Sequence, residues 1–89
     1  MKAVVFYEPG SASMETILSV YPRHKALVDA FAARGEVLAI GTFAGGREGS
    51  MGVFRDRAAA EGFLRQDPFL LEGLVGKVTV KDWNETLLK

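Results

Sequence analysis

Two short apolar segments in the middle of the chain, residues 37–43 and 50–54, are joined only by Ala44-Gly45-Gly46-Arg47-Glu48-Gly49. So many glycines make a loop, and a connection this short lets the flanking segments meet only as antiparallel neighbours. A hairpin is therefore set at the centre of the molecule. Whatever lies on either side must be arranged around it.

Upstream, residues 3–7 (Ala-Val-Val-Phe-Tyr) form an apolar, β-branched and aromatic run that stops at the turn sequence Glu8-Pro9-Gly10, the signature of a buried strand. Ser11 and Ser13 then offer capping hydroxyls, and Met14, Ile17, Leu18 and Tyr21 follow at helical spacing, continued by His24, Leu27, Val28, Phe31 and Ala32. Pro22 has no backbone N–H, so the pattern predicts a kink or a break and restart near residues 20–21. His24 is then expected in the first turn of a second helical segment, and Gly35 ends it.

Downstream of the hairpin, Asp56 caps a helix carrying Ala59, Ala60, Phe63 and Leu64. Asp67-Pro68 opens one further helical turn, with Asp67 as N-cap and Pro68 at the first helical position. Residues 75–83 alternate, Val78 and Val80 on one face and Lys77, Thr79 and Lys81 on the other. The order β-α-β-β-α-β is the ferredoxin-like motif of the α+β class: an antiparallel four-stranded sheet with its helices on one face. Strands one and three are central in that topology. Their segments, residues 4–6 and 51–54, do not alternate cleanly, which implies burial on both faces and a second copy of the chain over the open side.

The chain of 89 residues reads as one domain spanning residues 1–89. A domain of this size buries only roughly 60% of the surface its unfolded chain exposes, and with no cysteine it has no disulfide to make up the shortfall. A homodimer is the expected remedy. Formal net charge is zero, and Lys and Arg are scattered from Lys2 to Lys89, leaving no electrostatic footprint for nucleic acid. One histidine and no cysteine exclude zinc–thiolate sites and clustered nitrogen ligands, so neither metal nor cofactor is expected. Met1-Lys2 runs straight into the first strand without a signal-peptide pattern, and no apolar stretch reaches membrane-spanning length. A cytoplasmic protein with a small-molecule ligand fits these features.

His24 and Asp67 are the candidates for chemistry. A neutral imidazole can accept a proton, and a carboxylate on its other ring nitrogen fixes the tautomer and stabilises the imidazolium that forms. The competing reading leaves His24 as a solvated helix-start residue and Asp67 as a cap worth about 1 kcal/mol. The two Asp67 roles are compatible, since one carboxylate oxygen can cap while the other orients the ring. Tyr7, Ser50 and Phe69 are the residues expected to line a substrate pocket. The loop at residues 45–49 could cradle an anion on its amides, with Arg47 and Ser50 adding donors. It matches no phosphate-binding motif, however, and a plain hairpin loop is the simpler reading.

Tyr21-Pro22-Arg23-His24, Gly49-Ser50, Asp67-Pro68-Phe69 with Glu72-Gly73-Leu74-Val75, and Val78-Thr79-Val80-Lys81 together carry a resemblance. In this order and spacing the chain resembles the YCII-related (YciI-like) family over nearly its whole length. The resemblance implies a dimeric ferredoxin-like α+β barrel with a pocket in which a histidine and an aspartate act together, positions that fall on His24 and Asp67. It also implies that Ser50 lines that pocket. One family member is understood to eliminate hydrogen chloride from a chlorinated hydroxyquinol. Members often carry an arginine just before the proline, where this chain has Tyr21. Arg23 lies roughly 200° around the helix from that position and cannot replace it.

The expected function is that of a cofactor-free enzyme of the lyase or isomerase type, with a His-Asp dyad moving a proton on a small, aromatic-derived metabolite. The alternative is a noncatalytic dimeric module that binds a small ligand or serves as an accessory domain. A cofactor-independent oxygenase is a third reading, by analogy of fold alone.

Overall fold

In a computed structural model that describes residues 1–45 and 47–87, the chain forms seven elements. They are β1 (Lys2–Pro9), α1 (Met14–Ala33), β2 (Val37–Thr42), β3 (Ser50–Phe54), α2 (Arg57–Leu64), α3 (Pro68–Leu71) and β4 (Val75–Trp83). Gly46 of the expected hairpin loop, together with Leu88 and Lys89, lies outside the described residues. The sheet is antiparallel throughout in the order β2-β3-β1-β4, so the ferredoxin-like α+β fold expected from the element order is the one formed.

Local chemistry sets the helix starts. Ser13 caps α1 by accepting from the Thr16 amide, Asp56 caps α2 by accepting from the Ala59 amide, and Asp67 caps α3 with Pro68 in its first turn. Backbone hydrogen bonding holds the Asp56 carboxyl below its ordinary range, as a carboxylate at a helix N-terminus should be.

Two expectations need correction. The first concerns the second of the two alternatives at Pro22, a break and restart: one helix runs from Met14 to Ala33 with the proline inside. The ring removes only the donor that would reach the Leu18 carbonyl, and Leu18 and Pro22 both lie on the exposed side, where water can satisfy that group. His24 therefore stands in the body of a long helix and not at the start of a second one. The second concerns Glu8-Pro9, which ends β1 and is not a turn. Pro9 still pairs with Val75 after a register shift beyond Tyr7, a bulge at a strand end that tolerates proline.

One face of the sheet holds the core. Ala3 and Val5 of β1 and Phe54 of β3 pack with Phe31 of α1 and with Ala59, Ala60 and Phe63 of α2. Phe63 is the hub, edge-on to Phe31 at 5.3 Å and tilted against Phe54 at 5.2 Å. Because side chains alternate, Val4, Phe6, Met51 and Val53 point to the other face, which no helix covers. Trp83 pairs with Lys2 on that outer face and is half exposed, so it does not close against the helix layer. Among the described residues, no helix is long and apolar enough to cross a membrane.

Candidate active site

The site is assembled at the end of the sheet where β1 and β3 approach the hairpin. Gly49 has φ +87°, and a Cβ there would lie 2.1 Å from the Tyr7 carbonyl oxygen, so only glycine lets β3 begin this close to β1. The register that follows puts Ser50 directly opposite Tyr7, and Thr42 directly opposite Ser50. Three hydroxyl-bearing residues thus form a row across β1, β3 and β2 on the helix side of the sheet.

Above that row stands His24, projecting from α1. Its Nδ1 lies 2.8 Å from Asp67 Oδ1. The same oxygen accepts from the Phe69 amide at 3.1 Å, while Oδ2 accepts from the Tyr7 hydroxyl at 2.5 Å. Sequence reasoning divided capping and orientation between the two carboxylate oxygens. In the structure Oδ1 performs both, and Oδ2 serves a third partner. Asp67 is completely buried and His24 is 9% exposed. A carboxylate withdrawn from water in this way needs its lone pairs occupied, and three donors occupy them.

The tautomer follows from these bonds. Asp67 accepts at both oxygens and has no proton to donate, so the neutral imidazole carries its hydrogen on Nδ1 and leaves Nε2 as a bare acceptor. The ring is held flat against Phe69, with centroids 4.3 Å apart and planes 20° apart, and edge-on to Phe63 at 6.0 Å. The Tyr7 hydroxyl is driven far above the ordinary phenol range, first by burial and then by its hydrogen bond and proximity to Asp67. It remains a protonated donor wherever the protein is folded under ordinary conditions.

His24 lines a cavity of about 490 Å³ between the sheet and α1. This is within the range that accommodates small ligands. Ile17, Leu18, Tyr21 and Val28 of α1 form one wall, facing Ile40 and Ser50 of the sheet. All five residues proposed from sequence, Tyr7, His24, Ser50, Asp67 and Phe69, come together, four of them on the cavity and Asp67 directly behind His24. Thr42 also lines it and was missed. Its signal was the hairpin itself, which places Thr42 opposite Ser50 once the loop is closed. Met14, Leu18 and Tyr21, which follow at helical spacing, are exposed along the cavity. Among the described residues, no three His, Cys, Asp or Glu side chains gather as ligands for a metal ion.

The sequence model of the YCII-related domain matches residues 1–84. This chain belongs to the YCII-related family. Among solved structures it is similar to 5-chloro-2-hydroxyhydroquinone dehydrochlorinase from Burkholderia phenoliruptrix in complex with 2,5-dihydroxybenzoquinone, with a TM-score of 0.79. The two share 19% sequence identity over 97% of this chain and 96% of that one, a likeness of fold. No curated protein matches the chain in sequence. In this YCII-related site, Tyr21 takes the place before the proline and lines the cavity, its ring 6.1 Å from that of His24. Arg23 points elsewhere, to an exposed ion pair with Glu72 just past α3. Among the described residues, the cations on the cavity wall are Lys25, paired with Asp29, and Arg47 of the hairpin loop.

Proposed function

We propose that the protein is a cofactor-free enzyme of the lyase or isomerase type, acting as a cytoplasmic homodimer on a small, oxygenated, aromatic-derived metabolite. His24 Nε2 takes the proton. The electron pair released at the substrate forms a new π bond, either expelling a leaving group or returning to a proton at another carbon. Asp67 holds the imidazole through Nδ1 and stabilises the positive charge that develops on the ring, a contribution typically of about 10²- to 10⁴-fold in rate. Ser50 and Phe69 contact the ligand directly, and Tyr7 contributes its ring to the wall.

The observation that carries this reading is a single imidazole with one nitrogen bonded to a fully buried carboxylate, on a cavity of ligand size. The structural neighbour, a dehydrochlorinase in complex with a dihydroxybenzoquinone, supports the reaction type and the ligand class. The test is chloride release from a chlorinated hydroxyhydroquinone by the parent and by His24→Ala. Release that disappears in the variant supports the enzyme; quinone binding without turnover in the parent makes the chain a binding module.

The homodimer is supported by the outer face of the sheet, which no helix covers and where the half-buried Phe6, Met51 and Val53 lie around the buried Val4. Val53→Asp is expected to yield a monomer by sedimentation. A monomeric parent would contradict the assembly.

A further inference from the structure

Tyr7 donates to an oxygen of Asp67 that neither the imidazole nor the α3 amide uses. Its side chain rises from β1, whose backbone is fixed opposite Ser50 by the close approach at Gly49, so the sheet register sets where the phenol starts. A hydrogen bond to a carboxylate is stronger than one between neutral groups, and this one is short. From these contacts we infer that Tyr7 is a positioning residue that sets the basicity of His24 through Asp67. This rests on the reading of His24 as the base of the site.

The physical effect runs along one line of bonds. Negative charge that Asp67 shares with the Tyr7 hydroxyl is charge it cannot direct at the imidazolium, so the Asp67–His24 pair holds its proton less firmly than an unassisted pair would. The base is thereby kept free of a proton further down the pH scale, where an imidazole can act. Tyr7 itself does not titrate across that range, because burial and the neighbouring carboxylate keep its own proton in place.

The remaining surroundings of His24 leave this line as the dominant one. From α2 it meets the apolar Phe63, and from α3 and its cap Phe69 and Asp67. Its own helix contributes Tyr21 and two exposed ion pairs, Arg23 with Glu72 and Lys25 with Asp29. The sheet contributes Ser50 and Thr42, with Arg47 and Glu8 further along the cavity wall.

The test uses the fact that His24 is the only histidine, so the imidazole resonances of the intact protein report one group. Tyr7→Phe leaves Oδ2 buried without a donor, and the pair then holds its proton more tightly. The midpoint of the imidazole titration is expected to rise by about one pH unit, a tenfold gain in proton affinity. An unchanged midpoint would overturn the inference. Ring-fluorinated tyrosine, incorporated at Tyr7 in a Tyr21→Phe background, gives a stronger donor and must move the midpoint the other way, relative to that background with ordinary tyrosine. That arm still decides if Tyr7→Phe fails to fold: no downward movement removes the proposal. A shift in both directions with no turnover of any hydroxyquinol leaves the tuning in place and removes only the enzyme.

Discussion

Along α1, the C-terminal half packs on the core, with Phe31 buried and Leu27 and Val28 against it, whereas the N-terminal half buries Val20 alone. There Met14 and Leu18 are 58% and 61% exposed. Both halves carry apolar residues at helical spacing, so pattern alone does not distinguish them. The difference lies in what the sheet offers beneath. Phe31 packs with Val37, Phe54 and Phe63 in the core, whereas Leu18 and Tyr21 line the cavity together with Ser50 and Thr42. His24, on the cavity, and Asp67, fully buried behind it, sit at the boundary between the two halves. One half of the helix supplies stability, and the other gives up burial to keep room for a ligand.

This contrast can be broken first in the closed half. Phe31→Ala is expected to cost about 3–5 kcal/mol in chemical denaturation, enough to unfold much of a small domain. A loss below about 1 kcal/mol would mean that the closed half is not where stability resides. Asp67→Ala at the boundary strips the acceptor from the Tyr7 hydroxyl, His24 Nδ1 and the Phe69 amide together, with an expected loss of about 3 kcal/mol by the same measurement. Gly49→Ala should follow at about 1–3 kcal/mol, since it combines a left-handed φ with contact on the Tyr7 carbonyl.

In alkali the boundary should weaken before the rest. Tyr7 has its folded-state titration raised well above the value of 10.0 that an unfolded chain shows. Its contribution is complete below pH 10 and is lost above it, at no more than about 1.4 kcal/mol per pH unit. Thermal unfolding at pH 10–12 should therefore be less pH-dependent in Tyr7→Phe than in the parent. The smallest effect belongs to the open half, where Leu18→Ala should change stability by no more than about 0.5 kcal/mol. A loss there comparable to that of Phe31→Ala would erase the distinction between the halves.

Much of this was legible in the sequence because punctuation and pattern agreed. The glycine-rich connection set the hairpin, Asp56 and Asp67-Pro68 marked the starts of α2 and α3, and alternation put Val78 and Val80 on one face, the one that packs on the core. Pro22 misled because its effect depends on whether the freed carbonyl faces water, which is a property of the folded helix. The Glu8-Pro9 turn failed for a related reason, since a bulge at a strand end tolerates proline. At the site, the motif residues were visible one by one, but the third partner of Asp67 was not. Which oxygen takes which donor depends on the register of β1 with β3. Thr42 was hidden in the same way, one strand further across.

The central claim is that His24 presents a bare Nε2 to the cavity because Asp67 holds a hydrogen on Nδ1. Nitrogen-15 chemical shifts of the single imidazole, recorded above its titration midpoint, distinguish the two neutral tautomers directly. The expected spectrum shows a protonated Nδ1 and an unprotonated Nε2 in the parent, with that preference lost in Asp67→Ala. A parent imidazole carrying its hydrogen on Nε2 would contradict the account, because the nitrogen facing the ligand could then donate a proton but not receive one.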